Sequence, residues 1–204
     1  MIFSALFTGL ITGLGIIVAI GAQNAYVLRM GLIRQHVSLV VTICILSDVV
    51  MMGVGIGGAG ALFHNMPRFA EWVRLIGAVF LISYGVISLR RALQGGMSLT
   101  AGQAEPQGWF HVALTCLAFT FLNPHFYLDT LVLMGSLSLN YKGAGALSFY
   151  IGVSCASIMW FLMLGYGARL LIPLFRKPRA WRALDSVIGV MMLGLSMILI
   201  TEAI

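Results

Sequence analysis

Asn123-Pro124-His125-Phe126-Tyr127-Leu128-Asp129 sets a proline, an amide, an imidazole and a carboxylate inside an apolar run covering roughly residues 112–139. A second polar string, Gly21-Ala22-Gln23-Asn24-Ala25-Tyr26, interrupts the run over roughly residues 1–28, at the matching place in the other half of the chain. As continuous helix, each run would extend about 42 Å at about 1.5 Å per residue. A bilayer's hydrocarbon core is only about 30 Å thick. Broken or strongly tilted spans are therefore expected. Polar backbone freed at membrane depth must line a cavity or be buried in protein, so the two breaks are the default substrate site.

The composition agrees. Of 204 residues, 60% are hydrophobic and 9% are charged, and a water-soluble chain with that balance would expose large apolar patches. The expectation is an all-α integral membrane protein with the lipid bilayer as its solvent. Apolar segments recur at about 4–28, 37–62, 70–92, 109–139, 145–171 and 183–201, which gives six transmembrane helices. Glycines at close spacing in the second of these (Gly53, Gly55, Gly57, Gly58, Gly60) read as close helix packing. No separate soluble domain is expected.

A net charge of +6 invites a nucleic-acid reading, but the basic residues stand at helix ends. With the N-terminus outside, the inner loops hold Arg29, Arg34, Arg90, Arg91, Arg169, Arg176, Lys177, Arg179 and Arg182. The outer loops hold only Arg68, Arg74 and Lys142. The positive-inside rule then places both termini outside; a re-entrant first segment would give five spans and move the N-terminal side. Met1-Ile2-Phe3-Ser4 lacks a basic leader, so the first helix is expected to be retained. Cys44, Cys116 and Cys155 are isolated within spans and form no CxxC pair. They read as small buried packing groups.

The polar stretch from Gln94 to Gly108 reads as a flexible loop that divides one transporter domain (1–204) into repeat 1, about 1–93, and repeat 2, about 109–204. Laid over one another, the halves pair Ser47 with Ser154 and Gly58, Gly60 and Ala61 with Gly165, Gly167 and Ala168. Ile76-Gly77 pairs with Ile188-Gly189. Three helices per half means opposite insertion, so the expected architecture is two inverted three-helix repeats. The first helix of each is broken and the site lies between them near the midplane.

Candidate chemistry follows from what lies at depth. Glu71, Glu105, Asp185 and Glu202 fall in loops or near helix ends and receive no role. Asp48 falls about 17 Å along a helix starting near residue 37, close to the bilayer centre, with Ser47 as its local partner. A carboxylate there costs about 3 kcal/mol or more on insertion scales, a burden that points to cation binding or proton carrying, or else to a structural ion pair. Asp129 follows His125 by four residues, on one helical face. Two intramembrane acids without an intramembrane lysine suit a cation. Gln23, Asn24 and Asn123 add neutral donors and acceptors. Pro124 frees backbone carbonyls for a cationic group, while half-helix N-termini favour a carboxylate. Together these would hold a zwitterion with an extra positive charge. Tyr26 and Tyr127 follow the breaks and would gate or line the site, or anchor helices. His125 would shuttle protons or serve structure. Trp160 reads as packing. No metal, cofactor or catalytic motif is indicated.

Gly21-Ala22-Gln23-Asn24-Ala25, Ser47-Asp48-Val49, Phe121 through Asp129 and Trp160-Phe161 resemble the LysE family of amino-acid exporters, closest to its basic amino-acid branch. The resemblance covers essentially the whole chain. It implies efflux of L-lysine or L-arginine across the bacterial inner membrane, driven by the proton-motive force or membrane potential, by a homo-oligomer. The residues matching the family motifs are Gln23, Asn24, Asp48, Asn123, Pro124, Tyr127 and Asp129. One departure is Ala22, where the family usually carries proline, so the first break is expected to be softer. The rivals are export of a neutral solute such as homoserine or threonine, and export of a divalent metal, for which only Asp48, Asp129 and His125 are on offer. An intramembrane enzyme or a structural scaffold ranks below both.

Overall fold

The computed structural model describes residues 2–18, 21–59, 67–94 and 107–201. Most of the loop expected between the halves, and Gly60-Ala61 of the repeat comparison, lie outside the described residues. Every regular element among the described residues is helical. The helices are α1 (Ile2–Ile17), α2 (Ala22–Ile33), α3 (Val37–Val54), α4 (Pro67–Leu93), α5 (Trp109–Phe121), α6 (Pro124–Tyr127), α7 (Met134–Ser138), α8 (Ala144–Gly167) and α9 (Pro178–Thr201). A π turn, Gly55–Ala59, extends α3, and another, Leu128–Leu133, joins α6 to α7.

Both expected breaks are present. α1 and α2 meet at 82°, and α2 starts after Gly21, whose backbone is extended (φ −121°, ψ 178°). It ends where Arg34 turns left-handed and its N–H reaches the carbonyls of Gly31 and Met30, a common way to satisfy terminal carbonyls. In the second half, Asn123 is the extended residue that caps α6, its Oδ1 accepting from the His125 N–H at 3.1 Å. Pro124 is the first helical residue, where a missing N–H costs nothing. The proline thus starts a helix rather than kinking one.

Four segments are long and apolar enough to cross a membrane: Val37–Gly58, Glu71–Leu93, Ala144–Leu171 and Pro178–Thr201. The bent α1–α2 pair makes five. α5, with 13 residues, reaches only about 20 Å and does not cross alone. Of the six spans expected, with the first of each half broken, four segments and one bent pair meet the length and composition of a crossing among the described residues. Large apolar side chains such as Phe3, Phe7, Trp72, Leu75, Val79, Val190 and Met197 are exposed around the helices, as a lipid-facing surface requires.

Helix pairing runs mainly between the halves. α1 lies along α8, and α4 along α9. Gly9 sits on the backbone of Phe149, and Gly152 on that of Leu6, so that a Cβ at either position would overlap main chain. Gly85 and Gly189 also bring α4 and α9 close, where a Cβ would chiefly meet the side chains of Leu193 and Leu89. Without a hydrophobic drive between helices in lipid, such close approach is what holds them. The expected close-packing role of the glycine run holds at Gly55, which abuts the backbone of Thr130 and Leu131. Gly57 and Gly58 meet open space, and Gly58 serves its positive φ of 100° instead.

Two charges are not where the sequence put them. Arg29, expected in an inner loop, is 7% exposed, and Asp185, expected to be idle near a helix end, is 4% exposed. Arg29 Nη1 donates to Asp185 Oδ1, joining α2 to α9. Burial explains the pairing, since neither charge is tolerable alone in an apolar interior. At the start of the second half, the Gln107 N–H donates to Gln35 Oε1 at 3.1 Å and the Gln107 carbonyl meets His36 Nε2 at 2.9 Å. The far end of the inter-half loop is therefore clasped to the α2–α3 turn.

Candidate functional site

The two breaks, 100 residues apart in sequence, open into one cavity of about 290 Å³. Its wall takes Gly21, Ala22, Gln23 and Asn24 from the first break, and Asn123, His125, Phe126, Asp129 and Thr130 from the second. Asp48 and Met52 come from α3, Phe80 and Leu81 from α4, Phe161 from α8, and Leu195 and Leu199 from α9. Gln23, Asn24, Asp48, Asn123, Asp129 and the accessory His125 therefore share one space. Among the described residues, no lysine or arginine lines it. Two carboxylates, several amides, His125 and Thr130 face a mainly apolar enclosure.

Asp48 is 4% exposed, and Ser157 Oγ on α8 donates to its Oδ2 at 2.7 Å. One turn further along α8, Trp160 Nε1 donates to Asn24 Oδ1 at 3.2 Å, and the Asn24 Nδ2 donates to the Ile17 carbonyl at 2.8 Å, closing the end of α1. Gln23 Nε2 is buried with no hydrogen-bond partner among the described residues. The first turn of α2 lies on the cavity wall and carries the positive end of that helix's dipole. Asp48, His125 and Asp129 all reach the wall, yet no three metal-binding side chains converge among the described residues.

Four expected site residues do not line the cavity. Pro124 is the buried first residue of α6. Tyr127 Oη donates to the Phe121 carbonyl at 2.9 Å, satisfying backbone freed at the break. Tyr26 Oη donates to the Val112 carbonyl, within α5, at 3.3 Å. Ser47 is buried beside Asp48 in sequence without reaching the wall. Tyr26 instead backs the cavity: its ring packs 5.2 Å from that of Phe119, while Phe80 and Tyr84 each approach Phe119 at 4.8 Å. This aromatic layer lies between the cavity and the Arg29–Asp185 pair along α2.

Some contributors were missed. Ser157 drew no notice, and Trp160 was read as packing. Their signal was available in part, because residues three apart on a helix share a face and Phe161 continues it, but what α8 faces is a tertiary fact. Of the three cysteines expected to be isolated and buried, Cys44 Sγ on α3 and Cys116 Sγ on α5 lie 3.6 Å apart as buried free thiols, while Cys155 is exposed.

A model of LysE type translocators matches residues 14–203. The chain belongs to the LysE family. This LysE-family protein is 40% identical over 186 residues to Mb0498 of Mycobacterium bovis, covering 91% of this chain and 92% of that one. It is 37% identical over 202 residues to YggA of Aeromonas salmonicida, covering 99% and 98%. The names of both assign them provisionally to amino-acid transport. It is 36% identical over 186 residues to the arginine exporter protein ArgO of Salmonella schwarzengrund, covering 91% and 88%. No solved structure matches. As a member of this family the protein is a translocator, not an enzyme.

The LysE-family frame sharpens one expectation. Ala22 stands where the resemblance led to an expectation of proline, and the first break forms with alanine there. Ala22 is the first helical residue and Gly21 before it is extended, the two conditions proline itself requires. Ala22→Pro is therefore expected to insert normally and to change transport less than about threefold, because no helical hydrogen bond is lost. Membrane yield and initial transport rate check this; collapse of either would mean that the α2 start is geometrically unlike a proline-started helix.

Proposed function

We propose that this protein exports basic L-amino acids, arginine or lysine, across the bacterial inner membrane. The observation that carries the reading is the shared cavity, in which Asp48 and Asp129 meet without a lining lysine or arginine among the described residues. A cationic side chain would sit against the carboxylates. The α-carboxylate would take the first turn of α2, where the helix dipole favours an anion. The amides of Gln23, Asn24 and Asn123 would order the rest. At about 290 Å³, the space is at the small end of ligand pockets, suited to one amino acid. The 36% identity to ArgO supports the same substrate class.

The six-span, inverted-repeat architecture belongs to this reading. α1–α2 and α5 through α7 would be its two broken spans, equivalent by symmetry. α3 would correspond to α8 and α4 to α9, so that the α4–α9 and α3–α8 contacts would straddle the symmetry axis. The basic residues Arg90, Arg91, Arg169, Lys177, Arg179 and Arg182 would face the cytoplasm, with both termini outside. Coupling to the proton-motive force would use Asp48 or Asp129 as carrier, since intramembrane carboxylates are the usual proton relays.

The test is export from exporter-deficient bacteria fed arginine- or lysine-containing dipeptides, with homoserine and Mn²⁺ followed in parallel. The expected result is a selective fall in the basic amino-acid pool, matched by external release. An unchanged basic pool in cells with inserted protein, together with release of homoserine or Mn²⁺, would overturn the reading.

A further inference from the structure

We propose that Ser157 and Trp160, one turn apart on α8, are positioning residues that divide substrate recognition between them. Ser157 aims Asp48 at the substrate's side-chain cation, and Trp160 holds Asn24 for its amino-acid end. The proposal rests on the export reading above but assigns residues that the family motifs and the cavity wall do not single out as ligands.

Neither polar group reaches the cavity wall, yet each gives its donor to a residue that does. Ser157 is fully buried, and its Oγ donates to Asp48 Oδ2 at 2.7 Å, leaving Oδ1 for a ligand. A carboxylate held by a neutral hydroxyl keeps its whole charge for the substrate, whereas an arginine partner would spend it. Trp160 Nε1 donates to Asn24 Oδ1 at 3.2 Å, while the Asn24 Nδ2 is turned to the Ile17 carbonyl. The indole thus sets which way round the amide stands at the α1–α2 break. α8 belongs to the second half of the chain and both of its clients to the first. α8 is fixed against α1 by the Gly9 and Gly152 contacts, so the donors approach from a rigid face. Functional groups need this second layer, because a carboxylate or amide free to rotate loses much of its orientation-dependent binding.

Everted membrane vesicles, in which export appears as uptake, separate the two roles. Arginine and its neutral isostere citrulline are compared in wild type, Ser157→Ala, Ser157→Thr and Trp160→Phe. Ser157→Ala is expected to raise the arginine KM roughly tenfold, the loss of about one charge-assisted hydrogen bond, with little change for citrulline. Ser157→Thr, which keeps a hydroxyl, should restore most of the arginine KM, and it carries the comparison if the alanine variant fails to insert. Trp160→Phe is expected to raise both KM values by a similar factor. If Ser157→Ala shifts arginine and citrulline alike, or lowers the arginine KM, the assignment of Ser157 falls. If Trp160→Phe alters arginine alone, or neither substrate, that of Trp160 falls. Wild-type vesicles that take up no arginine would instead overturn the export reading, whatever the variants do.

Discussion

Asp48→Asn is expected to abolish export of arginine and lysine while leaving the protein in the membrane and folded. Asparagine keeps the shape of the side chain and an oxygen that can accept from Ser157, so the 2.7 Å contact has a substitute. What disappears is the charge at the buried end of the cavity. Removing one partner of a buried, hydrogen-bonded charge pair costs about 2–5 kcal/mol, about thirtyfold or more in affinity. Asp129→Asn should cost less, because Asp129 is only half-buried and water screens its contribution. The measurement is initial export rate normalised to the amount of inserted protein. Full export by a well-inserted Asp48→Asn variant would remove this carboxylate from substrate recognition.

The second large effect falls on stability. Asp185→Asn is expected to strip Arg29 of its counter-charge in a site where it is 7% exposed, and Arg29→Met to do the reverse. Breaking a buried pair by removing one member costs about 3–5 kcal/mol, whereas replacing both members by apolar groups is often neutral. Each single variant should therefore lose most of its folded yield in detergent, and Arg29→Met combined with Asp185→Leu should recover it. Size-exclusion profiles and thermal melting of the purified proteins read the outcome. A double variant no better than either single one would mean that the pair is needed for more than mutual neutralisation.

These two carboxylates show how far the sequence was legible. Asp48 was readable because it lies mid-span in an unbroken apolar run, where insertion cost alone marks it. Asp185 was not, because α9 starts at Pro178 rather than near residue 183, which draws the carboxylate a further turn into the helix. Its partner, Arg29, was counted with the loops because nothing in the string Leu28-Arg29-Met30 says that α2 continues to Ile33. The breaks themselves were legible through length, and the gathering of Gln23, Asn24, Asp48, Asn123 and Asp129 followed from membrane physics. The roles of Tyr26 and Tyr127 were hidden: each caps a carbonyl on a segment distant from or just before its own helix, and such partners depend on packing. At Ala22 the helix starts without a proline, directly after the extended Gly21. An extended glycine is enough to end one helix and start another, so proline is sufficient for the break but not required.

The pairing of α1 with α8 and of α4 with α9 also bears on how the chain is made. α1 is made before α8, and the surface that its Gly9 fits, around Phe149, is synthesised about 140 residues later; at about 5–20 residues per second that is a wait of several seconds or more. α4 waits in the same way for Gly189. During that interval the first half of the chain has its small-residue seams unfilled and Arg29 lacks Asp185. The tightest helix seams of the protein therefore close only after residues from both halves have been made.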